Sequence, residues 1–281
     1  MQSSTPSVAL EASGVTVAYD RQVAVADADL RLEPGRVTAV IGPNGSGKST
    51  LLRAVARLHA MRSGTVHLSD PGGDPVDALA LGRREFARRI TLLAQSRPTP
   101  SGIAVRDLVA FGRHPWRGRF GAADPGGPAS VDRAMALTGV ARFADRGVEQ
   151  LSGGELQRVW LASCLAQDTG VLLLDEPTTY LDLRFQVEIL DLVRELADAH
   201  GVTVGLVLHD LDQAAAVADR VVLLDAGRIV AAGSPEQVYD AERLTRVYGI
   251  RIEVAADAVT GALHTRAIGV HHGRERLPAT A

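Results

Sequence analysis

The chain has 281 residues, 46% of them hydrophobic, which is enough for one large domain or two small ones around a packed core. A formal net charge of −3 lacks the basic footprint of a nucleic-acid binder, and a single cysteine, Cys164, excludes an intramolecular disulfide framework and fits a reducing compartment, where it reads as a small buried apolar residue. No run approaches the roughly 18–20 uncharged apolar residues of a membrane helix, and residues 1–7 have neither a positive n-region nor an apolar h-region, so no signal peptide is expected.

In chain order, 8–18 and 23–32 read as strands, the first mixing apolar and polar residues as in a half-exposed sheet. The apolar run 37–41 then leads into Gly42-Pro43-Asn44-Gly45-Ser46-Gly47-Lys48-Ser49-Thr50, which fits G-x-x-x-x-G-K-[ST] and is followed by a helical pattern over 51–58. Lys48 is the one lysine among 30 basic residues; all the others are arginine. A compact ammonium suits a narrow phosphate cradle that a planar guanidinium would crowd, so this position selects for an ammonium and not for positive charge alone. Glycines at 42, 45 and 47 let the backbone turn its N–H groups toward phosphate oxygens, and the helix starting near Lys48 points its positive dipole end at them. Lys48 then reaches the β- and γ-phosphates, and the Ser49 hydroxyl holds Mg²⁺. A plain glycine-rich turn accounts for the glycines but not for the lysine.

A strand around 65–68 follows, and beyond it Arg83-Arg84 and Arg88-Arg89; positions 84 and 88 share a helical face that turns either to anionic headgroups or to solvent. From about 91 to 165 the pattern is mainly helical, broken by a Gly-, Pro- and Arg-rich segment at 113–128. Short apolar runs return at 171–174, 202–208 and 221–224, separated by helical stretches. The alternation predicts an α/β fold, with a mainly parallel sheet flanked by helices, an N-terminal antiparallel β portion and a helical insertion. The tail beyond about 251 offers one small hairpin turning at 257–261, and His271-His272 within it read as solvated residues rather than a metal site.

Val171-Leu-Leu-Leu-Asp175-Glu176-Pro177 places two carboxylates at the C-terminal end of a buried strand, the edge at which open α/β sheets bind ligands. Asp175 is expected to orient Mg²⁺, directly or through water, and Glu176 to polarise the water attacking the γ-phosphate; a solvated strand end is the plainer alternative. Leu151-Ser152-Gly153-Gly154-Glu155 opens a further helix, with Ser152 and Glu155 spaced for a capping box and N–H groups available to an anion.

On these residues the chain resembles the ATP-binding-cassette family, whose signature L-S-G-G-Q it matches with Glu155 in place of glutamine. The resemblance covers nearly the whole chain and implies a P-loop NTPase core over 8–90 and 166–250, a helical subdomain over about 91–165 carrying the signature, and a C-terminal extension over 251–281. It implies that Ser152, Gly153 and Gly154 contact the γ-phosphate held by a partner subunit, closing two ATP molecules into a head-to-tail dimer. It assigns Tyr19 to stacking on adenine, against edge packing at a strand end, and Gln95 to Mg²⁺, the attacking water and the hinge of the insertion. Asp182 is assigned to communication across the dimer, with a helix cap as the simpler role. His209 is assigned to the γ-phosphate, stabilising transition-state charge beside Glu176 as general base, against the satisfied core histidine more common at a strand end. ATP and Mg²⁺ are the implied cofactors.

Two cassettes in one chain need a longer sequence, and the long coiled coils of structural-maintenance and repair ATPases are missing. A separate ATPase subunit docking on integral-membrane permease subunits is therefore expected. The stretch T-L-L-A-Q-S-R-P-T-P-S-G-I-A-V-R-D-L-V-A-F-G-R-H-P-W at 91–116, with L-A-Q-D-T at 165–169 and D-E-P-T-T-Y-L-D at 175–182, is similar to the iron(III)-siderophore importer ATPases, whose relatives serve haem and cobalamin. That likeness implies a peripheral subunit on the cytoplasmic face of the bacterial inner membrane, paired with a second copy and served by a periplasmic or lipid-anchored substrate-binding protein, with no nucleic acid. A cassette for another cargo, exporters included, and a soluble ATPase of the family without a membrane partner are the alternatives. The surface around 97–116 is expected to receive a cytoplasmic permease helix, against a solvated loop carrying Arg113, Arg117 and Arg119.

Overall fold

The computed structural model describes residues 8–97, 99–118 and 124–269, so Arg119, His271 and His272 lie outside the described residues. The N-terminal half contains β1 (Ala9–Tyr19), β2 (Gln22–Leu32), β3 (Val37–Ile41), α1 (Lys48–Val55), β4 (Ser63–Ser69), β5 (Val76–Asp77), α2 (Arg83–Ala87) and β6 (Ile90–Leu93). Three helices follow without an intervening strand: α3 (Val105–Phe111), α4 (Gly127–Leu137) and α5 (Gly153–Ala166). The chain then alternates β7 (Val171–Asp175), α6 (Leu183–Asp198), β8 (Thr203–Val207), α7 (Leu211–Val217) and β9 (Arg220–Asp225). It finishes with β10 (Arg228–Gly233), α8 (Pro235–Val238), α9 (Ala241–Tyr248), β11 (Arg251–Ala256) and β12 (Leu263–Ile268).

The first sheet is antiparallel in the order β2-β1-β4-β5, and the second runs β10-β9-β3-β8-β7-β6 with every neighbour from β9 to β6 parallel. Every residue of β3, β7 and β8 is buried, as a sheet covered on both faces requires, which is why these strands read as unbroken apolar runs. On one face Leu51, Leu52 and Val55 of α1 and the inner side of the antiparallel sheet, with Leu10, Leu30 and Leu32, form one core. On the other face Ile189, Val193 and Leu196 of α6 lie over Leu174, Leu206 and Leu223. Cys164 packs at the margin of this second core, and burial pushes its thiol up to about 11, the inert behaviour of a small apolar residue. The inserted helices bring their own cluster, with Leu108, Val109, Met135 and Val159 at its centre.

Two expectations are corrected. Residues 91–93 belong to the sheet and not to the helical insertion, because Ile90 to Leu93 pair in parallel with Val171 to Leu174 and bury Ile90, Thr91 and Leu93. Arg113 does not solvate a loop: it is 5% exposed, donates to both carboxylate oxygens of Asp124 at 2.7 and 3.1 Å, and reaches the Ala166 carbonyl at 2.9 Å. Its guanidinium stacks 4.9 Å from the Trp116 ring, Arg88 stacks on the same ring at 4.8 Å, and the Trp116 indole N–H donates to the Gln167 carbonyl at 2.6 Å. Arg88, Arg84 and Arg117 are all exposed, but Arg88 also lies over an aromatic partner. The tail forms the expected hairpin, β11 against β12, fastened to α7 by Thr265, whose N–H and hydroxyl both donate to Asp212 at 2.7 Å.

Candidate functional site

Register places four strand ends level on one edge of the parallel sheet. Val40 of β3 and Asp175 of β7 both lie opposite Val207 of β8, and Leu93 of β6 lies opposite Leu174. Since these strands run in one direction, the segments that leave them emerge side by side: the loop 42–47, then His209, Glu176 and Gln95.

The loop is built so that its backbone faces inward. Gly42 has φ +147°, and a Cβ there would lie 2.1 Å from the Leu224 carbonyl oxygen; at Gly47, φ +101°, it would lie 2.5 Å from that of Ala24. Side chains cap α6 and α7, through Asp182 and Asp210, but none caps α1, whose first N–H groups are left for an anion. Lys48 is 5% exposed and donates to the Gly42 and Pro43 carbonyls at 2.9 Å each. Burial lowers its pKa from the ordinary lysine value, partly opposed by Glu176 and Asp175. The Ser46 hydroxyl is buried without a hydrogen-bond partner among the described residues, an open polar group within the loop. A cleft of about 170 Å³ is lined by Ala24, Asn44, Gly45, Gly47, Lys48, Ser49, Thr50, Glu176 and His209.

Asp175 is 1% exposed; its Oδ2 accepts from Arg53 Nε at 3.0 Å and Nη2 at 2.8 Å, while its Oδ1 has no partner among the described residues. A buried carboxylate oxygen left open, on a residue tied through Arg53 to the helix that carries Ser49, fits a hard divalent cation or its water, so the residues suit Mg²⁺. Glu176 holds φ +54°, a left-handed conformation costing about 1–3 kcal/mol in a non-glycine residue and clustering at functional sites. Its carboxylate is held from three sides: His209 Nε2 lies 2.5 Å from Oε1, and Oε2 accepts from Thr179 Oγ1 at 3.1 Å and from Gln95 Nε2.

The remaining sequence-named residues lie outside the cleft lining. Tyr19, about half exposed, meets His59 edge-on at 5.5 Å. Ser152 caps α5: its N–H and hydroxyl both donate to Glu155 Oε2 at 2.9 Å, and these bonds hold the Glu155 carboxyl below the usual range. Gly153 has open space around it, whereas Gly154 packs on the Phe185 ring of α6. Asp182 caps α6 by accepting from the Phe185 N–H at 3.0 Å, beside Tyr180, which is 97% exposed. Sequence reasoning missed Arg53, Thr179, Arg97 and Gln157. Arg53 had a spacing signal, one helical turn after Ser49, though none for its pairing with Asp175, and Thr179 stands only three residues from its partner Glu176; Arg97 and Gln157 had none, because they meet across 60 residues of chain.

The family model described as ABC transporter matches residues 25–179. Ferric enterobactin transport ATP-binding protein FepC of Escherichia coli (strain K12) is 42% identical over 258 residues, covering 92% of this chain and 93% of that protein. Cobalamin import ATP-binding protein BtuD of Halobacterium salinarum is 42% identical over 254 residues, covering 90% of this chain and 62% of that protein. The dimeric MJ0796, a bacterial ABC transporter cassette, superposes with a TM-score of 0.69 at 26% identity, over 80% of this chain and 98% of its own. The family match takes in the phosphate loop, the signature and the acidic pair, and the relatives extend it over nearly all the rest: the chain belongs to the ATP-binding-cassette transporter family.

Proposed function

We propose that the chain is the ATP-hydrolysing subunit of a bacterial importer, energising uptake of an iron(III)-siderophore or a related iron chelate. The observation that carries the cargo is the 42% identity to a ferric enterobactin transport subunit, spread over 93% of that protein. A second metal chelate, cobalamin, is favoured by an equally identical relative, but over only 62% of its length. In this reading 8–90 and 166–250 form the nucleotide-binding core, with the strand correction at 91–93, about 91–165 the helical subdomain, and 251–281 an extension.

The triphosphate lies along residues 42–50, where Lys48 exchanges its two carbonyl partners for the β- and γ-phosphates. Ser49, Asp175 and Gln95 would hold Mg²⁺, which would neutralise charge on the triphosphate. Glu176 takes the proton of the attacking water on a carboxylate fixed by Gln95, Thr179 and His209, and His209 also faces the γ-phosphate. Tyr19 stacks on adenine. Ser152, Gly153 and Gly154 of a second copy close over the γ-phosphate, with Asp182 at the seam. No helix among the described residues is long and apolar enough to cross a membrane. Permease subunits cross it in this reading, a periplasmic or lipid-anchored protein delivers the cargo, and the chain works at the cytoplasmic face without nucleic acid.

Glu176→Gln tests the chemistry. It should keep MgATP, lose turnover by about 10²–10⁴-fold and accumulate an ATP-bound dimer on size-exclusion chromatography; near-normal hydrolysis would remove Glu176 from this role. Deletion of the gene should abolish radiolabelled ferric-siderophore uptake, restored by the wild type and not by Glu176→Gln. Loss of cobalamin uptake with iron uptake intact would move the assignment to the second cargo.

A further inference from the structure

Gln157 lies in the second turn of α5 and has no part in the chemistry described above. Its side-chain amide uses both ends: Oε1 accepts from Arg97 Nη2 at 3.0 Å, and Nε2 donates to the Pro177 carbonyl at 2.8 Å. Arg97 Nε donates in turn to the Ala94 carbonyl at 2.7 Å, folding the chain around Gln95. Gln95 Nε2 donates to Glu176 Oε2, and Glu176 is followed directly by Pro177. The contacts form a closed circuit from Glu176 through Gln95, Ala94, Arg97, Gln157 and Pro177 back to Glu176, and it joins the segment after β6, the signature helix and the end of β7.

The circuit is costly to keep. The Arg97 guanidinium is largely withdrawn from water above the Trp160 ring, at 5.7 Å, burial pulls its pKa down to about 10, and Nη1 has no hydrogen-bond partner among the described residues. Apolar residues of similar volume would often stabilise such a site at least as well, so the polar arrangement is better explained by the geometry it fixes. Only an amide of this length meets both demands. A carboxylate would satisfy Arg97 but set an oxygen against the Pro177 carbonyl, and an apolar side chain would satisfy neither.

We propose that Gln157 is a positioning residue for ATP hydrolysis: through Arg97 and Pro177 it fixes Gln95 relative to Glu176, so that the orientation of the signature helix is registered at the Glu176 carboxylate. This rests on the roles given above to Glu176 and Gln95. A swing of α5 that left the core in place would break either the Gln157–Pro177 or the Arg97–Gln157 bond, and with it the hold on Gln95.

The test uses the full chain and steady-state MgATP hydrolysis. Gln157→Leu and Gln157→Glu should each lower kcat by about tenfold with the ATP KM changed less than about twofold, the split expected when an interaction of the reacting complex is lost and binding is not. A loss of stability alone lowers the active fraction and the melting temperature together; Gln157→Glu, which keeps the volume and the Arg97 contact, separates the two if Gln157→Leu folds poorly. Adding Gln157→Glu to Gln95→Ala should cost little beyond Gln95→Ala alone, since the circuit is already open. Unchanged kcat in Gln157→Glu, a raised KM at constant kcat, or losses that multiply with Gln95→Ala would each overturn the proposal. Glu176→Gln and Gln95→Ala measured alone report on the hydrolytic roles themselves, so a failure there is distinguished from a failure of Gln157.

Discussion

Lys48 is held by two carbonyl oxygens of the loop that it completes, which offsets part of the cost of burying an ammonium, with Glu176 and Asp175 adding an attraction of opposite charge. Lys48→Arg should lower ATP affinity by at least about tenfold in calorimetry, because a five-donor planar fork does not fit where a point donor sits. Unchanged affinity would show that charge alone matters there. The triphosphate binds the protonated amine, and burial has lowered the pKa of that amine. Affinity should therefore decline as pH rises through a range below that of an ordinary lysine, and Lys48→Arg should flatten this decline. The lysine and the acidic pair were legible as residue types at fixed spacing. Arg53 could be placed one helical turn after Ser49, but its pairing with Asp175, which neutralises one oxygen and leaves the other open, was not legible, since the two stand 122 residues apart.

The closeness of α5 to α6 depends on one missing side chain. A Cβ at Gly154 would lie 2.6 Å from the Phe185 ring, and that ring is itself covered by the Arg158 guanidinium, which pairs with Glu188. Gly154→Ala should therefore destabilise by about 1–3 kcal/mol, as overpacking does, and should be tolerated better in a Phe185→Ala background. Equal melting-temperature losses in both backgrounds would show that the ring is not the obstacle. The sequence assigned Gly154 to an anion contact and gave no sign of this second demand. The caps of α5, α6 and α7 by Ser152, Asp182 and Asp210 follow a local rule, a short polar side chain before an apolar period, and the first two were read as caps in advance. β6 was harder, because nothing within Ile90–Leu93 distinguishes a strand from the start of a helix until β7 lies beside it.

Over the whole molecule, one of the places where the helical insertion is fastened to the core lies around Trp116 and Gln167. Arg113 bridges Asp124 and the end of α5, Trp116 reaches the Gln167 carbonyl, and the Gln167 side chain donates to the Ala87 and Ile90 carbonyls. Arg113→Glu should cost about 3–5 kcal/mol by leaving Asp124 opposed and its own charge buried. Hydrolysis and transport should then fall together, measured as ATPase rate and uptake in parallel with thermal denaturation; loss of transport with full stability would restore Arg113 to a docking surface. This replaces the expectation that Arg113 and Trp116 form part of an outward face.

The sequence by itself determined what depends on neighbours along the chain: the phosphate loop with its lone lysine, the apolar runs of β3, β7 and β8, the acidic pair, and the helix caps. Each needs only certain residue types at certain spacings. Only the tertiary structure decided which arginines are structural, where β6 belongs, and that Gln157 closes a circuit on Glu176. Those outcomes depend on burial and on hydrogen bonds between segments far apart in the chain, 60 residues in the case of Arg97 and Gln157. A side chain's partner across such a distance is set by how the sheet and the insertion stack, and no local pattern carries that information.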